Sequence, residues 1–253
     1  MNVFVTGASS GIGAALATEY AARGATLGLV ARRQAMLDEL AGKLPGKHHC
    51  YAVDVTDRDA VIAAARAFEE TTGGADVVIA NAGISFGVLT EHYEDLATFA
   101  QVLQTNVVSL ACTFHPFIAP MRKRRGGKLV GIASIAGIRG LPGSEAYCAS
   151  KAAAISYLES LRVELARYGI RVLTIAPGFV RTPLTARNPY SMPFQMDADK
   201  FARAAVDAIE AGRSYTVIPW QMAIVAKLLR GLPNWLYDRV MARRPYKPRK
   251  EDS

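Results

Sequence analysis

Asn2-Val-Phe-Val-Thr6-Gly7-Ala-Ser-Ser-Gly11-Ile-Gly13 is a short apolar run that passes straight into a glycine-rich turn, and an alanine-rich helical stretch follows from Ala14. A strand that feeds a helix through such a turn is the start of a nucleotide-binding α/β unit. Glycines let the backbone approach a diphosphate, and the helix N-terminus offers free N–H groups and the positive end of its dipole. The spacing Gly7-x-x-x-Gly11-x-Gly13 differs from the broader Gly-x-Gly-x-x-Gly fingerprint. Gly7, Ser9, Ser10, Gly11, Ile12 and Gly13 are the candidate cofactor ligands here.

A second stretch supplies acid-base chemistry. Ser134-Ile-Ala-Gly-Ile-Arg-Gly-Leu-Pro-Gly-Ser-Glu-Ala-Tyr147-Cys-Ala-Ser-Lys151 ends in a tyrosine and a lysine four apart at the start of a long helical pattern, so the two side chains share a face. A lysine charge ~5 Å from a phenol, at an effective dielectric of ~20, is worth ~3 kcal/mol, or roughly two pK units off a value near ~10. That would bring Tyr147 toward the general acid-base range. Ser134 follows the apolar run Leu129-Val-Gly-Ile-Ala133, so its hydroxyl stands where a buried strand ends and can bind a substrate oxygen together with Tyr147. Taken alone, a Tyr-x-x-x-Lys pair is a weak signal, since most such pairs are solvated.

The glycine turn, Asn81-Ala-Gly83, Ser134 and Tyr147-x-x-x-Lys151 occur in that order, and over residues 2 to 182 the set resembles the short-chain dehydrogenase/reductase family. The resemblance implies an α/β doubly wound (Rossmann) fold: seven parallel strands in the order 3-2-1-4-5-6-7, with helices on both faces. It implies hydride transfer between a nicotinamide cofactor and a carbonyl or alcohol, with Tyr147 exchanging the proton, Lys151 lowering the phenol's pKa and holding the nicotinamide ribose, and Ser134 orienting the carbonyl. It further implies that Asp54 and Val55 border the adenine and that Asn81, Ala82 and Gly83 support the cofactor's central region. Pro177, Gly178, Val180 and Thr182 would close over the nicotinamide and diphosphate. Asn106 would hold a water that links Lys151 to solvent. Two simpler roles stand beside these: Asp54 capping the helix after Thr56-Asp57, and Asn106, on the apolar face of a helix from Leu96 to Met121, bonding a neighbouring backbone.

The tip of the second strand, Thr26-Leu-Gly-Leu-Val30, selects the dinucleotide. A carboxylate there reads a free ribose, whereas arginine pairs with a 2′-phosphate. No acidic residue occurs between Glu19 and Asp38, and the tip reads Ala31-Arg32-Arg33. NADP(H) is therefore favoured, with Arg32 the leading phosphate ligand and Arg33 the second; the alternative is that both solvate the start of the next helix.

The 253 residues, 51% hydrophobic, suffice for one α/β domain, and no linker or repeat divides them. With a strand from residue 2 and no apolar run near the ~18 residues of a membrane span, a cytosolic protein is expected. Cys50, Cys112 and Cys148 are scattered and odd in number, against a disulfide framework or a zinc site. His48 and His49 point to opposite faces of a strand, so no shared metal is expected. The basic run Arg122 to Arg125 is expected to solvate a helix end.

Residues 184 to 196 read as an irregular, apolar loop suited to be a lid or simply packed on the fold. With Phe86, Ile135, Ile138, Leu141 and Phe179 it favours a hydrophobic ketone, alcohol or acyl-lipid, while Arg139, Arg181 and Arg187 are candidates for binding an anionic group. Trp220, Ile224, Leu228, Leu232, Trp235, Leu236 and Val240 form two apolar helical stretches broken at Gly231-Leu-Pro233. From Lys227 onward eight basic and three acidic residues give a net of five out of the chain's +8. The favoured expectation is that the apolar face of this extension, 219–253, packs on the subunit or a homodimer partner and the tail is solvated; the other is an anionic membrane surface. Nothing resembles a nucleic-acid reader. The alternative to an NADP-dependent oxidoreductase is a catalytically silent NADP(H)-binding regulatory or scaffold protein.

Overall fold

The computed structural model describes residues 1–186 and 188–252. Seven strands, β1 (Asn2–Thr6), β2 (Thr26–Ala31), β3 (His49–Ala52), β4 (Val77–Ala80), β5 (Lys128–Ile132), β6 (Arg171–Pro177) and β7 (Tyr215–Ile218), lie in the order β3-β2-β1-β4-β5-β6-β7. Every pairing is parallel. The doubly wound order expected from the sequence is the order observed. Among the described residues, nine α-helices carry the crossovers and the C-terminal extension: α1 (Gly11–Ala22), α2 (Gln34–Lys43), α3 (Arg58–Thr72), α4 (Asp95–Leu103), α5 (Ser109–Arg124), α6 (Glu145–Ala166), α7 (Ala198–Glu210), α8 (Trp220–Gly231) and α9 (Asn234–Met241).

Parallel strands are covered on both faces, so their sequences are apolar throughout. Val3 and Val5 of β1 point into a core with Leu16 and Tyr20 of α1 and Phe201 and Ile209 of α7, while Phe4 points the other way, into a core with Phe68, Phe114, Phe117 and Leu158. Two strand glycines make the second core possible. A Cβ on Gly28 would stand 2.7 Å from the Phe4 ring, and one on Gly131 2.4 Å from Leu158.

α4 and α5 run on through a π turn at Gln104–Val108 into one 30-residue helix, Asp95–Arg124. By length and composition it would pass as a membrane span, contrary to the expectation that no such apolar stretch exists. Its Phe114, Phe117 and Met121 are fully buried against the sheet, so its apolarity belongs to the core. The basic end of α5 is not merely solvated either: Arg124 donates to the Ala75 carbonyl, and Arg122 stacks over Tyr168 with its guanidinium 4.1 Å from the ring centroid.

β1 lies between β2 and β4, so the crossovers leave it in opposite directions and a crevice opens at the carboxyl ends of the strands.

Within the single chain, the C-terminal extension buries a different stripe from the one expected to pack on the subunit. α8 turns Met222 and Ala226 inward and α9 Tyr237, leaving Trp220, Ile224, Leu228, Trp235 and Val240 exposed. α8 is apolar on two opposite stripes, so periodicity does not select the inner one. The tail is also not simply solvated. The Gly87 N–H donates to the Pro248 carbonyl at 2.9 Å, Lys247 Nζ donates to Ser85 Oγ at 3.0 Å, and Arg249 pairs with Asp95.

Candidate active site

The crevice holds a cavity of about 830 Å³, bordered by the glycine turn and by the residues that follow β2 through β6. Gly7 and Gly11 take φ of +67° and +56°, the left-handed region that glycine adopts without strain. Gly13 lies buried beneath the turn, where a Cβ would meet the Gly7 carbonyl oxygen at 2.2 Å. α1 can approach the turn only because that side chain is missing. Ser10 occupies the N-cap of α1 without a side-chain hydrogen bond, so no cap covers the first-turn N–H groups. The Thr6 hydroxyl accepts from the N–H groups of Asn81 and Ala82 at 3.1 and 3.2 Å, and Asn81 Nδ2 donates to the Thr6 carbonyl at 2.9 Å, which ties β1 to β4. The open backbone and uncapped helix fit a diphosphate.

Arg32, Arg33, Asp54 and Val55 line one end of this cavity. Arg32 is exposed, 4.0 Å from Asp54 Oδ2. Partial burial works against the Asp54 carboxylate, but bonds from the Thr56 N–H and hydroxyl and the nearby Arg32 guanidinium outweigh it and hold the group below the usual carboxylate range. Asp54 does not cap α3. That role falls to Asp57, whose carboxylate accepts from the Ala60 N–H at 3.0 Å.

Ser134, Tyr147 and Lys151 meet in the same cavity. Ser134 caps a 3₁₀ turn, Ile135–Gly137, its Oγ accepting from the Ala136 N–H at 3.1 Å. A Cβ on Gly137 would lie 2.6 Å from the Lys151 carbonyl carbon, so glycine lets the turn press onto α6. The Ser134 hydroxyl lies close enough to the Tyr147 phenol to lower its pKa. Lys151, buried, donates from Nζ to the Ile132 carbonyl at 2.8 Å, with Nζ 5.8 Å from the Tyr147 ring centroid.

The protonation pattern differs from the one expected for Tyr147. Burial pushes the phenol up to about 12, and the nearby Ser134 hydroxyl recovers only part of that shift. Burial also pushes the Lys151 ammonium down to about 8. The loss of water around both groups sets the direction of both shifts, opposite to the one the spacing suggested for the phenol. At neutral pH this leaves a protonated phenol, the form of an acid.

Asn106 lies buried within the π turn. Its Oδ1 accepts from the Ile84 N–H at 2.9 Å, and its Nδ2 donates to the Ile84 carbonyl and to Ser150 Oγ, each at 3.0 Å. The backbone role weighed for it from sequence is the one these bonds describe. Asn106 Oδ1 and Lys151 Nζ both face Gly83, where a Cβ would meet them at 3.2 and 3.7 Å.

Across the crevice, Pro177, Gly178, Val180 and Thr182 line the cavity as the sequence placed them. Their turn is held by Thr185, unforeseen, whose hydroxyl donates to the Val180 carbonyl at 2.6 Å and accepts from the Thr182 N–H at 3.1 Å. Phe86 borders the large cavity, while Ile135, Ile138, Leu141 and Phe179 border a smaller one of about 160 Å³. Ser191 and Pro193 of the 184–196 loop roof it, and Met222, Val225, Ala226 and Leu229 of α8 complete it.

Of the arginines proposed for an anionic group, Arg139 is engaged by the carbonyls of Leu229 and Leu232 and by Asn234, and Arg181 pairs with Asp197. Arg187 lies outside the described residues. Arg139 nevertheless lines the smaller cavity, and so does Arg244, its guanidinium 4.2 Å from the centroid of Tyr190. Sequence reasoning missed Tyr190 and Arg244, which come together only because the tail crosses the site. Among the described residues no group of three His, Cys, Asp or Glu side chains is placed to hold a metal.

The family pattern described as short chain dehydrogenase matches residues 1–191. An uncharacterised oxidoreductase of Myxococcus xanthus is 38% identical over 242 residues, 94% of this chain and 95% of its own length. A 3-oxoacyl-[acyl-carrier-protein] reductase of Thermotoga maritima is 34% identical, with 83% of this chain and 82% of that protein aligned. In three dimensions, a short-chain dehydrogenase from Streptomyces avermitilis superposes with a TM-score of 0.79 at 28% identity, covering 95% of this chain and 94% of that one.

Proposed function

This chain belongs to the short-chain dehydrogenase/reductase family of oxidoreductases, and we propose that within it the protein transfers a hydride between NADP(H) and a carbonyl or alcohol group on a hydrophobic substrate. The turn from Gly7 to Gly13 would hold the diphosphate, Arg32 with Arg33 the 2′-phosphate, and Asp54 with Val55 the adenine. Asn81 to Gly83 and Pro177 to Thr182 would enclose the nicotinamide half, with Tyr147 and Lys151 at its ribose. Once bound, the reduced nicotinamide supplies the hydride.

The chain's own residues handle the oxygen. The Ser134 and Tyr147 hydroxyls bind the carbonyl oxygen from one side and draw electron density toward it. Tyr147 then gives its proton to the oxygen as the carbon is reduced. A phenol pushed up to about 12 arrives protonated, which suits reduction at neutral pH. In the opposite direction the phenol must first lose its proton, so alcohol oxidation is expected to speed up in alkali. Lys151 uses one N–H on Ile132 and keeps two for a ribose. Asn106 keeps the loop after β4 and the start of α6 in register.

The observation that carries this reading is that Ser134, Tyr147 and Lys151 meet inside the crevice that holds the glycine cradle. The apolar lining of the smaller cavity supports a hydrophobic substrate, and the Thermotoga relative's name makes acyl thioesters a natural part of a test panel. The test is NADPH-dependent reduction of hydrophobic ketones and 3-oxoacyl thioesters by the wild type and Tyr147→Phe. The variant should lose turnover by a factor of about 10² to 10⁴ with NADPH binding retained. Undiminished turnover in Tyr147→Phe would remove the mechanism. A wild type that binds NADPH and reduces nothing in the panel would point instead to a cofactor-binding scaffold.

A further inference from the structure

Both tryptophans of this chain lie in the C-terminal extension, and both are exposed: Trp220 on α8 at 66% and Trp235 on α9 at 69%. Trp220, Ile224 and Leu228 recur every four residues, so they form one stripe along α8, and Leu228 is likewise 66% exposed. The inner stripe of the same helix, Met222 and Ala226, is already buried, so packing within the chain accounts for the inner face and leaves the outer one unexplained. Lys227, Arg230, Arg239 and Arg243 are exposed in the same extension, and Asp238 is the one acidic residue between 219 and 244.

We propose that the outer face of α8 and α9 docks on an anionic lipid surface. Indole rings beside aliphatic side chains, with cations in the same extension, match the boundary between acyl chains and headgroups. Each basic residue near such a surface adds attraction to anionic lipid. A second copy of this chain is a poorer occupant. It would set four cations of one protomer against the same four of its partner with a single Asp238 on each side, in a chain whose net charge is already +8. A nucleic acid would leave Ile224, Leu228 and Val240 without apolar contacts. α8 also turns Met222, Val225, Ala226 and Leu229 into the smaller cavity, so docking would place that cavity one helix away from the lipid. The link to a lipid-borne substrate rests on the hydride-transfer reading, whereas the docking surface does not.

The location of both tryptophans makes intrinsic fluorescence a direct reporter. The full chain, with neither cofactor nor substrate added, is mixed with phosphatidylcholine vesicles with and without phosphatidylglycerol. Mixed vesicles should co-sediment the protein and shift its emission to shorter wavelength, with at least tenfold weaker binding to pure phosphatidylcholine or at high salt. Leu228→Glu, at an exposed position, should lose vesicle binding at least tenfold with an unchanged circular dichroism spectrum. Lys227→Glu combined with Arg239→Glu, which leaves the apolar stripe intact, should do the same. Unchanged emission and no sedimentation with anionic vesicles would overturn the proposal. So would a concentration-dependent dimer that Leu228→Glu abolishes, which would make the surface a self-interface.

Discussion

Asn106 bonds both polar groups of the Ile84 backbone, accepting from its N–H at 2.9 Å and donating to its carbonyl at 3.0 Å. The same Nδ2 donates to Ser150 Oγ, whose hydroxyl donates to the Tyr147 carbonyl at 2.7 Å. One side chain thus joins the loop after β4 to the first turn of α6, and the π turn that carries it directs it there. π turns interrupt α-helices often at functional sites. Asn106→Ala would strand the two Ile84 groups in a buried setting, and a loss of about 2 to 4 kcal/mol in urea unfolding is expected, together with a fall in kcat. A variant within about 0.5 kcal/mol of wild type would show that this link does not hold the site.

Lys151 makes the site a burden on stability. Its ammonium sits at about 8 in the folded chain and near 10.5 unfolded, so between those values the unfolded chain binds more protons and stability rises with pH. Below pH 8 the full penalty applies, about 3 kcal/mol, and above pH 10.5 it is gone. Lys151→Met should therefore gain about 2 kcal/mol at pH 7, after the lost bond to Ile132 is deducted, and lose up to about 1 kcal/mol at pH 10.5, where little but that bond counts, while turnover collapses. Unfolding curves at the two pH values check this, and a variant less stable than wild type at pH 7 would contradict it.

What could be read from the residues was local. The glycine turn, the Tyr147–Lys151 spacing and the apolar strands each carry their signal within a few positions, and together they carried the family resemblance that implied the strand order and the residues around the crevice. What could not be read depends on depth or on distant segments. The direction of the Tyr147 shift follows from how completely the phenol is shut away from water, which a spacing of four does not report. α8 is apolar on two sides, so its inner stripe is chosen by the cavity beneath it. Arg244 lines the smaller cavity only when the tail passes the residues near Gly143.

Arg32 is exposed at the tip of β2, with the Asp54 carboxylate 4.0 Å away. Arg32→Asp would place a second carboxylate where a 2′-phosphate is proposed to sit. The ratio of kcat/KM for NADPH over NADH should fall by about tenfold or more, as expected for loss of a charge-assisted contact moderated by solvent. An unaltered ratio would assign phosphate recognition to Arg33 or to another group.

The tail is fastened at Asp95, the first residue of α4, which is only 1% exposed. Its carboxylate accepts from the Leu89 N–H at 2.8 Å and from Arg249 Nε and Nη2 at 2.9 and 3.1 Å. The Arg249 bonds, with help from Leu89, hold Asp95 below the usual carboxylate range. A carboxyl depressed in the folded state contributes stability that is complete above its unfolded value near ~3.9 and is lost as pH falls through the folded one. Arg249→Leu should cost about 2 kcal/mol at pH 7, because it leaves the carboxylate with too few partners, and progressively less in acid, where wild type loses the same contribution. Freed from Asp95, the segment from Arg243 to Lys250 should also be cut faster by trypsin. Equal unfolding midpoints for the two proteins at pH 7, with equal cleavage rates, would show that the tail is held by its other contacts alone.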